Sequence, residues 1–193
     1  MKLIFASNNK GKIAEVQTLV NNNLKIFSLL EAGITEPIKE PFDTFRENAW
    51  AKADYVYRQT GLPCFADDSG LVVPALNGAP GVYSARYAGE PADDAANNRK
   101  LLAAIEAMDA PEAYYQAVIC YIGDDGTHYF EGRCYGHLVH IPRGTGGFGY
   151  DPLFVPNGYT DTFGELAQDI KNRISHRSEA MRSFIAFLNQ PEQ

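Results

Sequence analysis

Leu3-Ile4-Phe5-Ala6 is an unbroken apolar run, and Lys2 to Ala6 reads as a buried first strand. The polar stretch Ser7-Asn8-Asn9-Lys10-Gly11-Lys12 follows as a loop, after which Ile13, Val16 and Val20 recur at helical spacing on one face. Strand, polar loop and helix in that order place a ligand beside the loop, at the carboxyl end of the strand, in open α/β sheets. Residues 33–43, with Pro37 and Pro41, read as loop. Thr44 and Glu47 then form a capping-box pair, predicting a helix that runs to about Gln59 and stops before Gly61. Phe45, Ala49, Ala53 and Val56 mark its buried face. Lys52 lies seven residues after Phe45 and projects close to that face, an unusual place for a lysine unless an anion meets it.

Cys64-Phe65-Ala66 predicts a short buried strand running straight into Asp67-Asp68-Ser69-Gly70. The region from Pro74 through Gly78, Pro80 and Gly81 to Gly89 is loop-rich, and residues 94–108 form an amphipathic helix ending near Met108. Tyr114 to Ile122 and Thr127 to Ile141 are strand-like, joined by the turn Gly123-Asp124-Asp125-Gly126. Pro142 to Gly149 is a glycine-rich loop and Gly158 to Gly164 a second irregular stretch. A last helix starts near Ser175 and turns Met181, Phe184, Ile185 and Leu188 inward. There is no repeat and no low-complexity linker. Early alternation of strand and helix, with antiparallel-type strands in the middle, predicts an α/β or α+β chain with a mixed sheet.

Composition narrows the chemistry. The 193 residues suggest one domain, or one domain with two lobes, with room for a core that needs no staples. A net charge of -7 gives no diffuse attraction for a nucleic-acid backbone, so a phosphate ligand must be held by local cations, backbone amides or a metal. Cys64, Cys120 and Cys134 are odd in number, form no CxxC pair and sit in apolar or strand-like runs, as reduced cysteines of a cytosolic protein do. The Leu3–Ala6 run is too short for a signal-peptide core, and no run approaches a membrane span. The expectation is a cytoplasmic protein with no nucleic-acid or membrane partner.

Four stretches carry candidate chemistry. Ser7–Lys12 joins helix N-terminal amides to two lysines, a combination that favours phosphate; the Walker pattern is absent, and a plain polar turn at a helix start fits equally. Asp67 and Asp68, adjacent after a buried strand, repel each other and resist desolvation. A divalent cation relieves both effects and oxygen-only ligands suit magnesium, while the alternative is an Asx-type turn. Gly144-Thr145-Gly146-Gly147-Phe148-Gly149-Tyr150-Asp151-Pro152 has four glycines in six positions, letting backbone approach a ligand. Phe148 and Tyr150 offer faces on which a base could stack and Asp151 a fixed acceptor; the alternative is a flexible hairpin loop. Ser175 is a plausible N-cap, which puts His176 and Arg177 in a first turn where cations oppose the dipole. That makes sense if they face an anion or a carbonyl-bearing ligand, with Lys171 just upstream; a solvated helix start is the alternative. His128, His137 and His140 have no metal-ligand company, and no Ser-His-Asp or Cys-His set stands out.

In their order along the chain, these stretches resemble the Ham1 family of inosine/xanthosine triphosphate pyrophosphatases. The resemblance rests on Ser7–Lys12, Glu47-Asn48-Ala49 with Lys52, Ala66–Leu71, Gly78–Tyr87, Gly144–Pro152 and Ser175-His176-Arg177, nearly end to end. It implies one domain over residues 1–193, with an elongated mixed α/β fold, flanking helices, two lobes around a central nucleotide cleft, and a homodimer. It implies magnesium-assisted hydrolysis of ITP, dITP or XTP to the monophosphate and pyrophosphate, by water attack at the α-phosphorus. Ser7, Asn8, Asn9, Lys10, Gly11 and Lys12 then hold the triphosphate, Asp68 is proton acceptor and magnesium ligand, Ser69 contacts substrate, and Lys52 reaches the phosphates. Glu40 matches the upstream metal carboxylate, with Glu36 the alternative. Phe148, Gly149, Tyr150 and Asp151 surround the base, and Lys171, His176 and Arg177 complete the site. Ser7-Asn8 stands where many relatives have Thr-Gly, a departure at the phosphate loop. Two other readings remain at this point: a nucleotide sensor without turnover, and a pyrimidine-triphosphate pyrophosphatase.

Overall fold

The computed structural model describes residues 2–20 and 24–190. Its elements are β1 (Lys2–Phe5), α1 (Lys10–Leu19), β2 (Lys25–Phe27), α2 (Phe45–Thr60), β3 (Cys64–Val72), α3 (Asp94–Ile105), β4 (Glu112–Gly123), β5 (Gly126–Leu138), β6 (Phe154–Pro156), α4 (Gln168–Ile174) and α5 (His176–Leu188). Two short 3₁₀ turns, Pro74–Leu76 and Gly81–Arg86, break the loop after β3. The strands form one sheet in the order β2-β1-β3-β4-β5-β6. β1 runs parallel to β2 and β3, whereas β6 is antiparallel to β5, so the sheet is mixed as expected. β4 and β5 are neighbours joined through Asp124 and Asp125 alone, a connection too short for anything but an antiparallel hairpin.

Local chemistry sets the boundaries. Asn9 caps α1 by accepting from the Lys12 amide at 3.0 Å, so Lys10 to Lys12 form the first helical turn and the polar loop ends three residues earlier than expected. Thr44 caps α2, accepting from the Glu47 amide at 3.2 Å and donating its hydroxyl to the Glu47 carboxylate at 2.6 Å. Gly61 closes the same helix in the left-handed region at φ 64°, as the sequence led us to expect.

The largest departure is β3. The short strand expected to end at Ala66 continues through Asp67-Asp68-Ser69-Gly70 to Val72, and the segment is no Asx turn. Polar residues hid the strand, but Gly70 explains it: a Cβ there would lie 2.3 Å from Ser84 Oγ and 2.4 Å from the Gly81 carbonyl, so only glycine lets the strand pass. β2 and β6, three residues each, and α4, seven residues, are too short to show periodicity and were not expected. α3 stops at Ile105 rather than near Met108, and β5 stops at Leu138, leaving Ile141 exposed before Pro142.

The chain divides into two compact units, and it passes from one to the other within β3, β4 and β5 and at the start of α5. The first comprises residues 1–68, 117–132 and 177–193. Its core joins Leu3, Phe5, Val16, Phe65, Ile119, Met181 and Phe184, with Phe5 and Phe65 stacked at 4.6 Å. The second comprises residues 69–116 and 133–176, with Leu71, Leu101, Ile105, Tyr115, Leu153, Phe154 and Phe163 at its centre. Cys64, Cys120 and Cys134 are free and buried, and burial pushes the Cys64 and Cys120 thiols up to about 12. No helix among the described residues is long and apolar enough to cross a membrane.

Candidate active site

Successive side chains of a strand point to opposite faces, and this rule organises the first unit. Asp67 and Asp68 are both buried, yet they meet different partners. Asp68 Oδ1 accepts from Lys52 Nζ at 2.9 Å, and the same ammonium is bound by Glu40 Oε1. Lys52 sits in the middle of α2 and is 7% exposed, which accounts for its place on the helix's inner face. Glu40 comes from the irregular segment before α2. That segment is tied down by the buried amide of Asn48, which accepts from the Phe42 N–H and donates to the Phe42 carbonyl, both at 2.9 Å. Glu36, the alternative carboxylate, is exposed.

On the other side of the strand, Asp67 Oδ2 takes Lys12 Nζ at 3.1 Å and Arg177 Nε at 3.0 Å. Arg177, 2% exposed, also binds the buried carboxylate of Glu15 through its terminal nitrogen. Lys12 further donates to the Asp67 carbonyl at 3.3 Å. No acidic residue stands in the first turn of α1, so its positive end is not neutralised from within. Around it, the Asn9 amide donates to Ser7 Oγ at 3.2 Å, and Asn8, Asn9 and Lys10 are exposed while Ser7, Gly11 and Lys12 are half-buried.

These surroundings drive the two aspartates apart. Burial alone would raise Asp67, but Arg177, then Lys12 and Lys52, outweigh it and hold the carboxyl well below the usual range. Burial raises Asp68, which Lys52 and Lys12 only partly offset and Glu40 reinforces. Burial pulls Lys52 down, yet Asp68 and Glu40 keep it above its ordinary value. Lys12 is lowered, mainly by burial. A depressed folded-state carboxyl contributes stability that is present above its unfolded value, near 4, and lost as pH falls toward the folded one. We therefore expect the urea midpoint to drop steeply below about pH 4, and Asp67→Asn to flatten that acid slope. Unchanged slopes in a titration from pH 7 to 3 would refute the assignment.

The donor set on the Lys52 side suits a divalent cation. Two carboxylates from separate segments already converge on one positive charge, and Asp68 Oδ2 is buried with no hydrogen-bond partner among the described residues. No cluster of three or more metal-ligating side chains stands together among the described residues. Magnesium tolerates this, because it binds through one or two carboxylates and takes its other oxygens from water and phosphate.

The second unit carries the other sequence-predicted residues. Asp151 and Lys171 form a buried pair at 2.6 Å, and Asp151 also accepts from the Phe148 amide at 2.9 Å. Lys171 Nζ lies 5.0 Å over the Phe148 ring, within cation–π reach. His176 stacks on Tyr115 at 4.8 Å with the rings 10° apart. Phe148 is half-buried, but Tyr150 is 2% exposed and belongs to the core, its hydroxyl donated to the Ser84 carbonyl at 2.8 Å. The Tyr150 face that the sequence offered for stacking is thus taken up by packing. Ser69 is half-buried on β3. Sequence reasoning passed over Glu15 and Tyr115. Only Glu15 left a trace, as an acid one helical turn from Lys12 on a helix whose other face is apolar.

The fold and this centre define a mixed α/β protein with buried carboxylates gathered around cations, the arrangement expected where a polyanion and a divalent metal meet. The chain belongs to the Ham1 family, whose sequence model matches residues 3–187. It is 48% identical to a dITP/XTP pyrophosphatase of Porphyromonas gingivalis over 97% of each chain. Among solved structures it is similar to a HAM1 protein from Coxiella burnetii, with TM-score 0.90 and 40% identity over 99% of this chain and 100% of that one. It is also similar to the Staphylococcus aureus Ham1 protein, with TM-score 0.88 and 37% identity over 97% and 98%.

Proposed function

We propose that this protein is a magnesium-dependent pyrophosphatase that converts dITP, ITP and XTP to the monophosphate and pyrophosphate, clearing non-standard purines from the nucleotide pool. The observation that carries the reading is the convergence of Glu40 and Asp68 on Lys52, with one Asp68 oxygen buried and unsatisfied. Glu40 and Asp68 would hold the magnesium, which when bound supplies charge neutralisation and Lewis-acid polarisation of the phosphoryl oxygens. Asp68, raised by burial, is suited to accept the proton of the water that attacks the α-phosphorus. The bond that breaks joins that phosphorus to the oxygen bridging to the β-phosphate, and pyrophosphate leaves with that oxygen. Lys52, Lys12, Lys10 and the Ser7–Lys12 backbone hold the triphosphate and stabilise the charge that develops on the leaving group. Ser69 contacts the substrate from the same strand as Asp68.

The base falls to Phe148, Gly149, Asp151, Lys171 and His176, with Tyr150 and Arg177 contributing through the framework they hold. A 6-oxo purine offers an acceptor to donors at the site, whereas adenine places an amino group there, a mismatch that gives large discrimination. We assign the working form to a single domain per chain, a homodimer in the cytoplasm.

The test is a product analysis with magnesium on dITP, ITP, XTP, GTP, ATP and dUTP. The expected result is monophosphate and pyrophosphate from the first three, far slower turnover of ATP and dUTP, and silence after chelation. Orthophosphate with a diphosphate, or equal rates on ATP and ITP, would overturn the reading.

A further inference from the structure

The glycine-rich loop that carries Phe148 is gripped from outside by two residues of α3. The Gly149 N–H donates to Asp94 Oδ2 at 2.8 Å, and the Gly149 carbonyl accepts from Asn98 Nδ2 at 3.0 Å. Asp94 and Asn98 are four residues apart, one helical turn, and so lie on one face of α3. Both polar groups of one residue are therefore fixed by one face of one helix. Gly149 adopts φ 62°, a conformation that side-chain-bearing residues avoid, so the loop is turned sharply beside Phe148.

The neighbouring anchors sharpen the point. Phe148 is held on its other side, where its N–H donates to Asp151, and Tyr150 is fixed through its hydroxyl to Ser84. Three consecutive residues are thus each fastened by a side chain. Helix formation does not need Asp94: Asp93 is the N-cap, its carboxylate accepting from the Ala95 and Ala96 amides at 2.8 and 3.1 Å. The Asp94 carboxylate is directed to the loop instead.

We propose that Asp94 and Asn98 are positioning residues for base recognition: by holding the two peptides that flank Gly149 they set where the Phe148 ring stands, and with it the selectivity for the base. This rests on the reading of Phe148 as the base-stacking residue given above. The chemistry is direct. An amide bound by a carboxylate is a charge-assisted hydrogen bond, and because the Gly149 N–H belongs to the 148–149 peptide and its carbonyl to the 149–150 peptide, the two contacts hold both peptide planes that flank Gly149. Releasing them frees Phe148 ψ and the Gly149 torsions, while the Phe148 N–H stays on Asp151, and so misplaces the ring against the substrate.

The experiment compares wild type with Asp94→Ala/Asn98→Ala and with Asp94→Asn. Its readouts are kcat and KM on dITP and dATP, the inhibition constant of tripolyphosphate, which has no base, and calorimetric binding of deoxyinosine monophosphate. For the double variant we expect kcat/KM on dITP to fall on the order of tenfold, mostly through KM, and the dITP-to-dATP ratio to shrink. Tripolyphosphate inhibition should stay within about twofold, since the phosphate residues are untouched. Asp94→Asn keeps an acceptor for the Gly149 N–H and should recover most of the loss. An unchanged dITP-to-dATP ratio, or an equal loss toward tripolyphosphate, would overturn the proposal. If wild type binds deoxyinosine monophosphate but releases no pyrophosphate from dITP, the hydrolase reading fails alone. The monophosphate affinity of the double variant then decides this proposal, weakened on the same scale in its favour and unaltered against it.

Discussion

Asp68→Asn should lower kcat on dITP by about a thousandfold or more, with the melting temperature shifted by only a few degrees. The catalytic effect is large because one substitution removes two functions, the proton acceptor and one of the two carboxylates proposed for magnesium. The small stability effect follows from the surroundings. Asp68 is buried beside Glu40, so the native state holds a charge that burial disfavours, and Lys52 compensates only in part. Asparagine keeps the size and an acceptor oxygen for Lys52, while Lys52 retains Glu40. Steady-state kinetics on dITP with a thermal melt separate the cases. Activity above about a tenth of wild type would sink the role assigned to Asp68, because proton transfer by a positioned group contributes far more than that. A collapsed melt would make the residue structural.

The sequence disclosed the site's ingredients better than their arrangement. Lys52 was legible because a lysine on an apolar helix face contradicts its surroundings, and the contradiction has the predicted cause in two carboxylates. The Asp67-Asp68 pair stood out as two acids after a buried strand but was misread as geometry. Adjacent acids suggest mutual repulsion at one site, whereas the strand sends them to opposite faces, one to Lys52 and the other to Lys12 and Arg177. A strand through four small or polar residues gives no alternation to read, and its cause, the close passage of Gly70 past Ser84, is a tertiary contact. The same limit hid the loop anchors. Asn48 clasps Phe42, Asn97 bonds the Ala88 amide and the Ala85 carbonyl, and Asn98 reaches Gly149. An asparagine in a helix reads as a mild propensity penalty, yet its amide can satisfy a donor and an acceptor at once, which suits it to pin irregular chain to a rigid helix.

Arg177→Met should cost about 3–5 kcal/mol of stability, lowering the melting temperature by roughly 6–20 °C in a chain of this size. Arg177 joins two carboxylates, Asp67 and Glu15, inside the first unit, and all three are nearly inaccessible to solvent. A buried ion group adds little net stability when complete, because desolvation offsets the attraction. Removing the central cation keeps the desolvation and loses its share of the attraction, Lys12 remaining with Asp67. Methionine keeps most of the volume, so the loss reports charge rather than a cavity. The pH dependence gives the sharper test. In wild type Asp67 is depressed, and stability falls as the medium is acidified below its unfolded value. Without Arg177, Asp67 loses the cation that does most to hold it down, so the variant's acid slope below about pH 4 should be shallower than that of wild type. Adding Glu15→Gln and Asp67→Asn to Arg177→Met removes the carboxylate charges that Arg177 had bridged and should restore much of the loss. A single variant that melts within about 2 °C of wild type, or that keeps the wild-type acid slope, would show that Arg177 is not what holds these two carboxylates in the core.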